Sequence, residues 1–281
     1  MREFELEIPL GTIRGLRWGE PGMPRVLALH GWLDNAASFV PLAPLLPGLD
    51  LVAPDLPGHG RSTHLPPGTD YTYIGALQEI LDIADALGWE RFSILGHSRG
   101  AGLGSLLAAA CPERVERLVA IEALGALAEP PEALVPRMRK ALHASRQVRH
   151  KRLRVFPDLD ACVQARMQAG GLDEAPARLL VERGTRAVEG GYVWSSDPRL
   201  TVPAPARMTA EQVDALVRGI ECPVRVIYAS PPQPYLPEPE RSRRAALLPR
   251  GDLVVIPGGH HLHMERPAEV AAAIGDFFTA G

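Results

Sequence analysis

Gly96-His97-Ser98-Arg99-Gly100 sets a serine between glycines at the junction of two different sequence patterns. Before it, Arg91-Phe92-Ser93-Ile94-Leu95 is a short apolar run bounded by Gly88 and Gly96; after it, Ala101 to Ala110 is small and aliphatic, as in a buried helix. Strand, sharp turn and helix follow in that order. So tight a turn forces its central residue into strained φ/ψ and needs very small neighbours, which Gly96 and Gly100 supply. Ser98 becomes the candidate nucleophile, held where the backbone N–H groups of a helix N-terminus favour developing negative charge. A glycine-rich turn with a capping serine has the same sequence, so other segments must decide.

Two more strand-like runs end in residues that can do chemistry. Val26-Leu27-Ala28-Leu29 leads into His30-Gly31-Trp32, and Leu253-Val254-Val255-Ile256 leads into Pro257-Gly258-Gly259-His260. His260, His261 and His263 crowd together at the second. A metal site is one reading of three histidines, but no separate acidic or cysteine cluster supports it, and no metal is expected.

Several stretches, spread over nearly the whole chain, resemble the α/β-hydrolase superfamily and its serine-hydrolase-like branch. They are His30-Gly31-Trp32-Leu33-Asp34-Asn35-Ala36-Ala37-Ser38-Phe39, Asp55-Leu56-Pro57-Gly58-His59-Gly60-Arg61-Ser62, Gly96 to Ala101, Arg183-Gly184-Thr185, and Gly259-His260-His261-Leu262-His263-Met264-Glu265-Arg266-Pro267. The resemblance implies a mostly parallel eight-stranded sheet with helices on both faces and a helical cap. It implies Ser98 as nucleophile, His260 as the base that takes and returns its proton, and the backbone N–H groups of Trp32 and Arg99 as an oxyanion hole. Asp34 and Asp55 are expected to hold loops together. Epoxide hydrolases and haloalkane dehalogenases share this plan but carry Asp at the elbow, and Ser98 argues against both chemistries.

The acid departs from the family pattern. An Asp usually follows the strand read here as Cys222 to Tyr228, but this chain continues Ala229-Ser230-Pro231-Pro232-Gln233-Pro234, with no carboxylate. Glu122, closing the strand Leu118-Val119-Ala120-Ile121, stands where haloalkane dehalogenases supply their acid, and is the choice made here. The alternatives are Glu238, Asp197 or a serine–histidine dyad.

The chain of 281 residues suits one catalytic domain with an insertion. Strand-like runs fall at about 3–8, 12–18, 25–30, 50–54, 91–95, 117–122, 223–229 and 252–256. Between them lies a proline-broken helical region without a strong strand. The core is therefore read as 1–129 and 216–281, with 130–215 as the cap over the carboxyl ends of the strands. A net charge of -3 gives no reason to expect nucleic acid. Cys111, Cys162 and Cys222 are scattered and suggest neither a disulfide framework nor zinc. No run reaches membrane-spanning length and the N-terminus lacks an apolar signal region, so a cytoplasmic protein is expected.

Arg137, Arg139, Lys140, Arg146, Arg149, Lys151, Arg152 and Arg154 form a basic stretch in the cap. It reads as a solvated helix face, or as an attractor of an anionic substrate. Trp32, His97, Tyr192, Trp194, Tyr235 and His261 are candidates to line the substrate pocket. The expected activity is cofactor-free cleavage of a carboxylic ester or thioester of a small acyl substrate by a monomer or homodimer. A perhydrolase or C–C bond hydrolase would use the same residues, and a non-catalytic ligand-binding protein could share the fold.

Overall fold

The computed structural model describes residues 1–280. Its centre is an eight-stranded sheet in the order β1-β2-β4-β3-β5-β6-β9-β10. The strands are β1 (Arg2–Ile8), β2 (Gly11–Trp18), β3 (Arg25–Leu29), β4 (Asp50–Pro54), β5 (Phe92–His97), β6 (Val115–Ile121), β9 (Val224–Ser230) and β10 (Gly251–Pro257). A hairpin outside this sheet, β7 (Thr185–Val188) and β8 (Gly191–Trp194), completes the set. The β1–β2 and β2–β4 pairs are antiparallel, and every later pair in the large sheet is parallel.

Apolar runs become strands here because both faces of the sheet are covered. Successive residues alternate between two cores: Leu27, Leu29, Ile94, Leu118, Ala120 and Val226 enter one, while Val26, Ala28, Leu95, Val119, Ile121 and Ile227 enter the other. On the first face lie α1 (Tyr73–Ala86) and α2 (Arg99–Ala110), through Ile80, Ile83, Leu103 and Leu107. On the second lie the turn Ala36–Phe39 and the C-terminal helix, through Phe39, Val270 and Ile274. The chain runs from β3 to β4 on one side, then crosses to β5 on the other side of β3. That reversal opens a crevice at the carboxyl ends of β3 and β5, the usual place for a ligand in such sheets.

Strands β6 and β9 are neighbours, yet a long segment separates them in sequence. It holds α3 (Leu134–Val148), α4 (Leu159–Gly170), α5 (Glu174–Gly184), the β7–β8 hairpin and α6 (Ala210–Arg218). Phe156, Cys162, Val163, Leu172, Leu180 and Val181 form a small core of its own, joined by Met264. The hairpin departs from the sequence reading, because strands as short as Thr-Arg-Ala-Val, with exposed Arg186 and Ala187, lack an apolar signature. At the end of this segment α6 buries Val213 and Val217 in the main core. After β9 come α7 (Glu240–Ala245), α8 (Leu262–Glu265) and α9 (Pro267–Ile274). Among the described residues no helix is long and apolar enough to cross a membrane.

Candidate active site

The turn between β5 and α2 brings Ser98 to φ 51°, ψ -116°. Its flanking glycines are dictated by contact. A Cβ on Gly96 would lie 2.5 Å from the Cα of Ala101, and one on Gly100 would drive into the carbonyl of Leu29. The other non-glycine residues with positive φ are Leu33 (58°) and Glu122 (61°). All three sit in loops at the carboxyl ends of β3, β5 and β6, so backbone strain among the described residues concentrates at one place.

There a chain of hydrogen bonds forms. Ser98 Oγ lies 2.9 Å from His260 Nε2, and His260 Nδ1 lies 3.1 Å from Glu122 Oε2. The second carboxylate oxygen, Oε1, accepts the Ala229 N–H at 2.5 Å, which fixes the orientation of the group. Because a carboxylate only accepts, it selects the tautomer with hydrogen on Nδ1 and leaves the Nε2 lone pair toward Ser98. Ser98 and His260 are partly exposed, whereas Glu122 is buried. Tyr235 Oη stands 3.1 Å from the same Nδ1, sharing it with Glu122. Burial, reinforced by the Glu122 charge, pushes the Tyr235 phenol up.

Glu238 and Asp197 do not reach the histidine. Glu238 is engaged by Arg241 at 2.5 Å, and Asp197 is held by Arg199 at 2.6 Å and by Tyr71 at 2.9 Å. Among the described residues neither the Trp32 nor the Arg99 amide donates to an acceptor in the chain. The Arg99 side chain lies 5.7 Å from the centre of the Tyr73 ring, and burial lowers its pKa.

The candidate pocket residues divide. Trp32 and Tyr235 are half exposed, and Trp32 Nε1 donates to the Leu200 carbonyl at 2.9 Å. Trp194 instead meets Phe156 edge-on at 5.6 Å, and Tyr192 joins the same small core. His97 is wholly enclosed beneath His260, whose carbonyl accepts its Nε2–H at 2.8 Å. Burial lowers the His97 pKa to about 4. His261 is buried as well, 3.4 Å from Asp34. His97 and His261 are thus enclosed, whereas Tyr192 and Trp194 are partly buried where they pack against the small core. Tyr228, Gln233, Tyr235, Leu236 and Arg241 close around Glu122 and leave only a narrow cleft beside it. A larger hollow at Asp85, Gly88, Trp89, Glu90 and Arg114 lies toward the amino ends of the strands and holds none of these groups.

Polar ties lock the inserted segment onto the site loops. Arg183 Nε donates to both oxygens of Asp55, at 2.8 and 3.0 Å, while the Ala36 and Arg61 amides donate to the same carboxylate at 2.8 and 2.9 Å. Asn35 Nδ2 reaches the Leu180 carbonyl at 2.9 Å, and Arg166 pairs with Asp34 Oδ1. Sequence reading assigned Asp34 and Asp55 to loop support but missed both arginine partners, which lie more than a hundred residues away. Only the motif Arg183-Gly184-Thr185 hinted at one of them.

Residues 24–153 match the family model of the alpha/beta hydrolase fold. Serine hydrolase-like protein 2 of Homo sapiens is 34% identical, over 98% of this chain and 93% of its own length. The crystal structure of a hypothetical protein from Pseudomonas aeruginosa PAO1 is 40% identical with a TM-score of 0.92, covering 100% of both chains. A thioesterase domain from the curacin biosynthetic pathway is 27% identical with a TM-score of 0.86, over 98% of this chain and 99% of its own. With that likeness running from end to end, the chain belongs to the α/β-hydrolase superfamily, in its serine-hydrolase-like branch.

Proposed function

We propose that this hydrolase cleaves a carboxylic ester or thioester of a small acyl substrate through an acyl-enzyme on Ser98. The observation that carries the reading is the unbroken hydrogen-bond chain from Ser98 Oγ through both nitrogens of His260 to Glu122. His260 Nε2 takes the hydroxyl proton as Oγ attacks the carbonyl carbon. The resulting oxyanion is met by the amides of Trp32 and Arg99. Collapse expels the alcohol or thiol, which receives the proton from His260. Water then attacks the acyl carbon as it gives a proton to Nε2, and collapse of that second intermediate breaks the bond to Oγ, releases the acid and returns the proton from His260 to Ser98. Glu122 stabilises the imidazolium that forms twice in this cycle.

The inserted segment acts as the cap in this proposal. On α3, Leu134, Val135, Met138 and Leu142 remain exposed, an apolar surface that suits an acyl chain better than a charged one. The basic stretch supports the reading of a solvated face: Arg139, Lys140, Arg146, Arg149, Lys151 and Arg152 are exposed, and Arg137 is already paired with Glu129. Likeness to the thioesterase domain keeps thioesters beside esters. Three free cysteines are consistent with a cytoplasmic setting.

The test is reaction with a fluorophosphonate probe together with hydrolysis of p-nitrophenyl esters from acetate to decanoate. Wild type is expected to label at Ser98 and turn over, and Ser98→Ala to do neither while keeping its melting temperature. An unlabelled, inert wild type would leave a ligand-binding protein on this fold.

A further inference from the structure

Directly beneath His260 lies a second cluster that the proposed chemistry does not use. Asp34, His97 and His261 are all buried, and one ligand atom from each lies within 4.8 Å of the others. Asp34 Oδ2 is 3.6 Å from His97 Nδ1 and 3.4 Å from His261 Nε2. Asp34 Oδ2, His97 Nδ1 and His261 Nδ1 have no hydrogen-bond partner, although all are enclosed.

The tautomer of His97 makes this arrangement unusual. Its Nε2 faces the carbonyl oxygen of His260 at 2.8 Å, and a carbonyl can only accept, so the hydrogen is on Nε2. In the neutral ring Nδ1 therefore presents a lone pair to the lone pairs of Asp34 Oδ2. Two buried acceptors face each other across a gap wider than a hydrogen bond, an arrangement that a cation between them would complete. Gly31 leaves room: a Cβ there would stand 2.9 Å from Asp34 Oδ2 and 3.0 Å from His97 Nδ1. Arg166 occupies the other oxygen, Oδ1, and leaves Oδ2 free.

We infer that Asp34, His97 and His261 form a site for a divalent transition-metal ion of the zinc type. A tetrahedral ion with bonds of ~2.0–2.1 Å holds its ligand atoms about 3.3–3.4 Å apart, close to the two separations found here. Two imidazoles and one carboxylate are a set that Zn²⁺ accepts, with a water as the fourth ligand. The sequence shows no separate acidic or cysteine cluster to accompany the histidines. Folding delivers an acid from the loop after β3. His97 precedes Ser98 and His261 follows His260, so the ion ties together the loops bearing the nucleophile, the base and the Trp32 amide. Two of the three ligand pairs already stand near their bonded spacing, so the ion needs only small side-chain shifts to bind. The binding claim stands without the hydrolase mechanism.

Zinc chloride is titrated calorimetrically into chelator-stripped full-length protein, and thermal unfolding is followed with and without a hundredfold excess over Kd. Wild type is expected to bind one ion per chain with micromolar or tighter Kd, and its Tm to rise by about 5–10 °C. His261→Gln and Asp34→Asn should each weaken binding at least thirtyfold. No uptake at millimolar zinc overturns the inference, as does uptake unchanged in both variants, which would place the ion on surface histidines. Should neither variant fold, Co²⁺ binding to wild type decides: an intense visible band of four-coordinate cobalt supports the site, and the pale spectrum of the hydrated ion refutes it. Calorimetry does not depend on turnover, so an inert enzyme would sink the esterase proposal without touching this one.

Discussion

Replacing Glu122 by glutamine separates the roles of charge and shape at the acid. In the wild type Oε1 accepts the Ala229 N–H at 2.5 Å and Oε2 faces His260 Nδ1 at 3.1 Å. A glutamine must keep its carbonyl oxygen toward Ala229, because its NH₂ cannot accept that hydrogen. The NH₂ then points at His260 Nδ1, so donor meets donor and the histidine moves its hydrogen to Nε2, where it cannot take the Ser98 proton. The imidazolium also loses a neighbouring charge. With charge centres ~4 Å apart and an effective dielectric of ~20, that attraction is about 4 kcal/mol, or about a thousandfold in rate. Tautomer loss and charge loss together set the expectation at about 10³–10⁴ in kcat, with KM little changed. The assay is steady-state hydrolysis of the best p-nitrophenyl ester by wild type, Glu122→Gln and Glu238→Gln. Glu238 is held by Arg241 and should matter less than threefold. A Glu122→Gln enzyme within tenfold of wild type would refute the argument and leave the dyad.

Tyr235→Phe removes only the second partner of Nδ1, so kcat should fall by less than about tenfold in the same assay. Arg183→Met strands the fully buried Asp55 carboxylate, a loss of about 3–5 kcal/mol. Circular dichroism should show Tm lower by roughly 10 °C, and an unchanged Tm would count against the tie between inserted segment and core. Burial pushes His30 below its ordinary value of 6.5, and His59 well below it. Below pH ~6.5 the unfolded chain binds protons at these positions that the native state refuses, so stability present above that pH is lost as it falls. Each site contributes about 1.4 kcal/mol per pH unit until its native pKa is reached. Urea midpoints from pH 7 to pH 5 should therefore decline, less steeply for His59→Gln, and equal slopes would contradict it.

Much of this protein is legible in its sequence because its signals are local. Short apolar runs such as Leu118 to Ile121, rich in β-branched residues, suit strands covered on both faces, and all eight strands of the large sheet lie about where the sequence reading puts them. Glycines 96 and 100 are required by contacts within a few residues of the turn or on the adjoining strand. The β7–β8 hairpin was invisible because its strands are four residues long and little buried, leaving neither period nor apolar run to read. Side-chain partnership at long range is the other thing sequence withholds. Nothing near Asp55 names Arg183, and nothing near Asp34 names Arg166, His97 or His261; chain topology alone makes them neighbours. The same holds for the choice among Glu122, Glu238 and Asp197. Any of these carboxylates can accept from a histidine, but only the strand order, which sets β6 beside β9, brings one of them to His260. Residue type determined which chemistry was available, and the crossing of the chain at β3 and β5 decided which residues meet to perform it.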